Sequence, residues 1–150
     1  MNISSLVTTG LSRLATDWGS SNTLTAADSV IIPVQAQYLP AKGLEQLLKT
    51  VGRVRRQLNP SLEIDGILLT MVDNRTNLSR GVVEQIRAAY GGRVFSAEIP
   101  RSTRVAEISV ENKSIYDHDR NGKSAAAYET LTKEVLSIGK PQRSRFDRDR

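Results

Sequence analysis

The ten residues EIDGILLTMV, Glu63 to Val72, restrict the fold of this chain more than any other stretch. A strand with one wet face alternates apolar and polar residues. A run that stays apolar without alternating instead expects cover on both faces, as in a parallel sheet held between helices. Two further segments read as strands: SVIIPV (29–34), bounded by polar residues and containing Pro33, and RVFSAEIP (93–100). Between the first two, Leu44, Leu47, Leu48, Val51, Val54 and Leu58 recur at helical spacing, and Asn59-Pro60 stops the helix. A second helix is expected over about 78–90, ended by Gly91-Gly92. A short helix near 103–110 and a longer one near 123–137 complete the order.

Strands alternating with helices predict an α/β fold with a parallel sheet. Ligands of such sheets lie beyond the carboxyl ends of the strands. Functional residues are therefore expected in PVQAQYLPAKG, TMVDNRTN and IPRSTRVAE.

Length and composition narrow the function. The 150 residues suit one domain, and with 5% aromatic residues the core must be built from Ile, Leu, Val and Ala. Without cysteine there is neither a disulfide framework nor a thiolate metal site, which fits the cytoplasm, and the single His118 leaves no histidine cluster for zinc. No apolar run approaches the ~20 residues of a membrane span, and the Ser- and Thr-rich start lacks the pattern of a signal peptide. The net charge is +5, of which five basic residues (Lys140, Arg143, Arg145, Arg148, Arg150) against Asp147 and Asp149 place +3 in the last eleven residues. A modest basic excess permits contact with nucleic acid without requiring it.

Gly122-Lys123-Ser124, ahead of a helix-forming run, imitates the end of a phosphate-binding P-loop. The full pattern, G-x-x-x-x-G-K-[ST], needs its first glycine at position 117. That residue is Asp117, and Asp119 adds a second carboxylate where phosphates would sit. The segment reads as a polar turn that starts a helix. Asp65, Asp73 and Glu107 lie near strand starts or ends, but nothing in their spacing marks a catalytic pair.

Four ordered segments carry a more specific signal: NTLTAADSVIIPVQAQYLPAKGLEQLL, NPSLEIDGILLTMVDNRTNLS, VFSAEIPRSTRVAEIS and HDRNGKSAAAYETLTKEV. Together they resemble the C-terminal half of ParA-type partitioning ATPases, from the ParA/MinD group of deviant P-loop proteins. The resemblance assigns residues 22–138 to a ParA-like α/β half-domain, leaving 1–21 as an unmatched lead-in and 139–150 as a basic disordered tail. It implies a partial doubly wound parallel sheet of the P-loop NTPase type, lacking the N-terminal P-loop half. It also implies a protein that binds ATP with magnesium and dimerises around it. In the family the ATP-bound dimer holds DNA without sequence preference, and a ParB-type partner stimulates hydrolysis during plasmid or chromosome segregation.

Carried over by resemblance, Met71, Pro100, Arg101 and Ser102 match the adenine side of the nucleotide site, and Arg75 and Arg104 match DNA-binding positions. Gly122 and Lys123 match the turn entering the last helix. No catalytic residue is matched, because the P-loop lysine, the signature lysine, the switch aspartates and the Walker B segment belong to the half that has no counterpart here. The expectation is a truncated partitioning ATPase without activity alone, cytoplasmic, and nucleoid-associated if it retains DNA binding. Self-association is expected where the sheet is left open. The alternatives are a regulatory module that docks on a full-length ParA-type ATPase and a remnant without function.

No nucleotide cofactor is expected for this chain alone, since it supplies neither the ring of backbone donors nor the lysine that phosphates require. Isothermal titration with ATP and magnesium should show no saturable binding at micromolar concentrations. Hydrolysis that disappeared in Lys123→Ala would reinstate the phosphate loop.

Overall fold

The computed structural model describes residues 23–37, 41–105, 107 and 114–138. Expectations for the lead-in, the basic tail and part of the helix near 103–110 lie outside these residues; 103–105 and 107 are helical. The elements are β1 (Ser29–Gln35), α1 (Ala41–Gln57), β2 (Glu63–Val72), α2 (Asn77–Tyr90), a 3-10 turn (Gly91–Arg93), β3 (Val94–Pro100), α3 (Ile115–His118) and α4 (Lys123–Ile138). Among the described residues α3, a single turn too short to leave a periodic pattern, has no counterpart in the sequence reading, nor do the short helical stretches at 23–26 and Gly91–Arg93.

The three strands form one parallel sheet in the order β1-β2-β3. Apolar β2 is central, as its composition demands. Both crossovers step in the same direction, so right-handed connections place α1 and α2 on the same face. There Ile32, Val34, Leu44, Ile67, Leu69, Val82 and Ile86 form the main core. Buried residues such as Ile67 and Leu69 each contribute about 1.5–3 kcal/mol. The opposite face belongs to α4, whose Ala127, Tyr128, Leu131 and Val135 pack on Leu68, Phe95 and Ile99. Helices on both faces make this a doubly wound α/β fold.

Gly66 of β2 lies directly against the Phe95 ring of β3. A Cβ there would lie 2.8 Å from the Phe95 ring, so a side chain would push that ring out of its seat.

One core assignment changes. Leu58 continues the helical spacing of α1 on paper but is 56% exposed, because the helix ends at Gln57 and the chain turns before the stripe returns. Leu62, fully buried against Val51 and Val54, fills the place instead. The turn is held by Asn59, whose Nδ2 donates to Leu24 O at 3.1 Å and Ala27 O at 2.7 Å. A residue read only as a helix stop thus ties the approach to β1 to the approach to β2.

Among the described residues β3 is an edge of the sheet, and its register slips: Ile67 pairs Val94 while Leu69 pairs Glu98. The irregular stretch leaves backbone groups of residues 95–97 without ladder partners, and side chains supply them. Glu134 on α4 accepts from Ser96 N at 2.9 Å, from Ala97 N at 2.8 Å and from Ser96 Oγ. Arg87 on α2 donates to Phe95 O at 3.2 Å and to Glu98 Oε1 at 2.8 Å. Edge strands with free donors and acceptors recruit other chains, and this one is closed by a carboxylate and a guanidinium.

Partial burial opposes ionisation of Glu134, but the hydrogen bonds from Ser96 and Ala97 outweigh it and hold its pKa below the ordinary 4.5. A carboxylate whose pKa is lower in the folded state stabilises above its unfolded value and loses that contribution as pH falls through the folded one. Glu134→Ala, which strips two strand amides of their acceptor, should lower stability by about 1–3 kcal/mol in urea unfolding at neutral pH. The gap between variant and parent should narrow under acid. A gap that held constant down to pH values well below 4.5 would show that the carboxylate charge has no part in the clamp.

Candidate functional site

Because the sheet is parallel, the carboxyl ends of β2 and β3 open on one side, and the N-terminus of α4 arrives there too. After β2 the chain turns through Asp73–Thr76. Thr76 caps α2 by accepting from Ser79 N at 3.3 Å, and the buried Ser79 hydroxyl accepts from Asp73 N at 3.0 Å. After β3, Arg101 N donates to Val72 O at 3.0 Å, fastening the second loop to the first.

Two open hollows result. One of about 550 Å³ is lined by Arg75, Arg101, Ser102, Thr103 and Arg104. The other, about 420 Å³, lies between that loop and α4; Pro100, Arg101, Ser102 and Arg104 form one wall and Asp119 to Ser124 the other. Arg101, Ser102 and Arg104 are common to both.

The structure therefore brings Arg75 and Arg104 to the same hollow, although 29 positions separate them in sequence. Pro100, Arg101 and Ser102 share the second hollow. Met71 sits one residue from the Val72–Pro100 pairing but lines neither hollow; it holds a left-handed backbone, φ 55°, at the end of β2 and is 37% exposed. That conformation is uncommon for a residue with a Cβ, and such strain is stored where a loop must leave a strand at a set angle.

Each of the two arginines has a carboxylate partner that the sequence did not advertise. Arg75 Nε and Nη2 each stand 2.9 Å from an Asp73 carboxylate oxygen, and Arg104 Nη1 stands 2.9 Å from Asp119 Oδ2. Spacing reveals the first pair only in hindsight, and the second joins loops 15 residues apart. The Arg75 side-chain hydrogen bonds, with help from its backbone N–H, hold the Asp73 pKa at about 2 against an ordinary 3.8. Both guanidinium groups remain outward, with side chains 88% and 64% exposed for Arg75 and Arg104.

The remaining acidic residues do not converge. Asp65 accepts from Ser29 Oγ at 2.7 Å, and Glu107 lies 3.7 Å from His118. Among the described residues no group of three or more His, Asp or Glu side chains could hold a metal ion, and no helix is long and apolar enough to cross a membrane. Residues Gly122, Lys123 and Ser124 are a helix start: α4 begins at Lys123, preceded by α3 and a turn rather than a strand.

With this arrangement in view, the likeness to known proteins is specific. ParA of Caulobacter vibrioides, a chromosome partitioning protein, is 43% identical over 116 residues, which is 77% of this chain and 43% of that one. The sporulation initiation inhibitor protein Soj of Bacillus subtilis is 44% identical over 118 residues, covering 79% and 47%. The chain belongs to the ParA family. The chromosome-partitioning ATPase Soj of Thermus thermophilus is also 44% identical, over 77% of this chain and 47% of its own. A family profile described as an AAA domain matches residues 16–64. Among solved structures, cobyrinic acid a,c-diamide synthase of Mycobacterium smegmatis superposes with a TM-score of 0.62 at 33% identity, covering 79% of this chain and 42% of that one. A second structure of that enzyme, with bound ADP and magnesium, gives 0.54 at 34% identity over 71% and 37%. The chain thus spans less than half the length of the curated relatives it matches.

The Asp73–Arg75 pair should be intact at every physiological pH. Its contribution is complete above about pH 4 and fades only as pH falls from the ordinary aspartate value of 3.8 toward 2. Carboxyl carbon shifts followed by NMR should show Asp73 titrating near pH 2, and Arg75→Ala should return its midpoint toward 3.8. An unchanged midpoint in that variant would assign the low value to another cause.

Proposed function

We propose that this ParA-family chain serves DNA partitioning by contributing a sequence-indifferent DNA contact through Arg75 and Arg104. The single observation that carries the reading is their convergence on one hollow, with Arg101 between them and both side chains outward. Three guanidinium groups on one open surface suit phosphates, which any sequence offers. The loops themselves present no helix that could enter a major groove and read bases. Such binding places the protein on the nucleoid within the cytoplasm.

The nucleotide side is only partly represented. Pro100, Arg101 and Ser102 line the second hollow and would hold an adenine edge there, with Met71 at the neighbouring strand end; the related synthase has been solved with bound ADP and magnesium. The residues do not fit the rest of that ligand. The sequence contains no P-loop, and no carboxylate cluster suited to magnesium occurs among the described residues. No hydrolytic step is assigned to these side chains; any ATP-dependent dimerisation, and any stimulation by a ParB-type partner, would draw on residues outside this sequence.

The basic tail could produce a similar attraction by charge alone, so the test compares the full chain with one ending at Gly139. On the shorter chain, Arg75→Ala with Arg104→Ala should weaken binding to unrelated duplexes equally and flatten the salt slope by up to about two units. A double variant that binds as tightly as its parent would remove the loops from the DNA surface. Binding lost with the tail alone would assign the attraction to unstructured charge.

A further inference from the structure

Helix α1 concentrates positive charge more than the basic tail does. Residues 41–57 hold five basic side chains against the single acid Glu45, a balance of +4 in a chain whose total is +5. The last eleven residues add +3, so the rest of the chain sums to −2. Within α1 the charge is confined to one side. Leu44, Val51 and Val54 are buried toward the sheet, while Lys49, Arg53 and Arg56, four and three residues apart, share the opposite, exposed side. Lys49 is engaged with Glu45 at 2.6 Å. Among the described residues Arg53, Arg55 and Arg56 form no hydrogen bond or ion pair.

Stability does not account for this stripe. Cations in the last turn offset the helix dipole, which serves Arg55 and Arg56. Arg53 precedes that turn, and like charges three or four residues apart repel one another. The centre of a protein interface is rich in aromatic and aliphatic anchors. On this side of α1 the neighbours are instead Glu45, Gln46 and Gln57. A helix that lies on a membrane needs a free apolar face. The apolar face of α1 is already buried in the core.

We propose that this face of α1 docks on the phosphodiester backbone of duplex DNA, as a contact separate from the carboxyl-side loops. Lys49 to Arg56 spans about 10 Å of helix axis, close to three base-pair steps of about 3.4 Å. Helix α1 runs back along the sheet, so Arg53 and Arg56 lie toward the amino end of β2, whereas Arg75 follows its carboxyl end. Strand β2 is about 30 Å long, so the two basic surfaces are well apart. Flexible, exposed guanidinium groups on the outside of a helix fit phosphates of any sequence.

The test uses the full chain and follows the Nε–H signals of Arg53 and Arg56 by NMR as a short duplex is added. Saturable shifts that weaken as salt rises are expected, and they should persist in the Arg75→Ala, Arg104→Ala double variant. Arg53→Gln with Arg56→Gln should weaken duplex binding about tenfold and flatten the salt slope by up to about two units. Thermal unfolding should not fall, since glutamine is as good a helix former and like-charge repulsion is relieved. The charge-matched control, Arg148→Gln with Arg150→Gln in the tail, should leave the α1 shifts in place. Duplex binding with silent α1 signals would overturn the proposal. Equal responses to polyglutamate or to phosphatidylglycerol vesicles would overturn it too, by assigning the face to a protein or a membrane. The loop reading is judged apart from this one. Binding lost only in the Arg75, Arg104 variant removes α1 and keeps the loops, and α1 shifts with unchanged affinity in that variant do the reverse.

Discussion

Strand β2 has to be covered on both faces, and the rest of the structure follows from that requirement. Ile67, Leu69 and Val72 face one way and Leu68 the other, so a single helical layer would leave apolar surface in water. Two crossover helices serve the first face, and α4, the last element among the described residues, returns to serve the second. Parallel strands joined by helices bring every strand's carboxyl end to one side. The gathering of Arg75, Arg101, Arg104 and Lys123 there is thus a consequence of how the core is closed.

The edge strand shows how the same helices meet polar needs. The register slip in β3 strips backbone groups of ladder partners, and leaving them bare would cost about as much as several lost hydrogen bonds. Glu134 comes from α4 and Arg87 from α2, so both layers that bury β2 also fasten β3. Packing and polar satisfaction are therefore coupled. A change that shifts α4 moves both the apolar cover over Phe95 and the acceptor for Ser96 and Ala97.

On the carboxyl side, charge is organised rather than merely abundant. Asp73 and Asp119 hold Arg75 and Arg104 in place while leaving their guanidinium groups mostly exposed. Exposed ion pairs contribute little to stability. Their effect here is geometric: each guanidinium is held against a fixed carboxylate.

Much of this was legible in the chain itself. The apolar run of β2, the helical spacing of α1 and the breakers at Asn59-Pro60 and Gly91-Gly92 place three strands and three helices to within a residue or two, because periodicity and turn chemistry are local properties. The ordered ParA-like segments pointed to the family and to Arg75 and Arg104 as positions to examine. Local pattern could not reveal that Leu58 faces outward while Leu62 fills the core, since that depends on where α1 stops against its neighbours. Nor could it pair Arg104 with Asp119, or send Glu134 to a strand 37 and 38 residues away. Those relations join segments distant in sequence. They exist only once the apolar faces of β2 have drawn the helices in, which is why the sequence determined the elements and the family while the packed sheet alone decided the site.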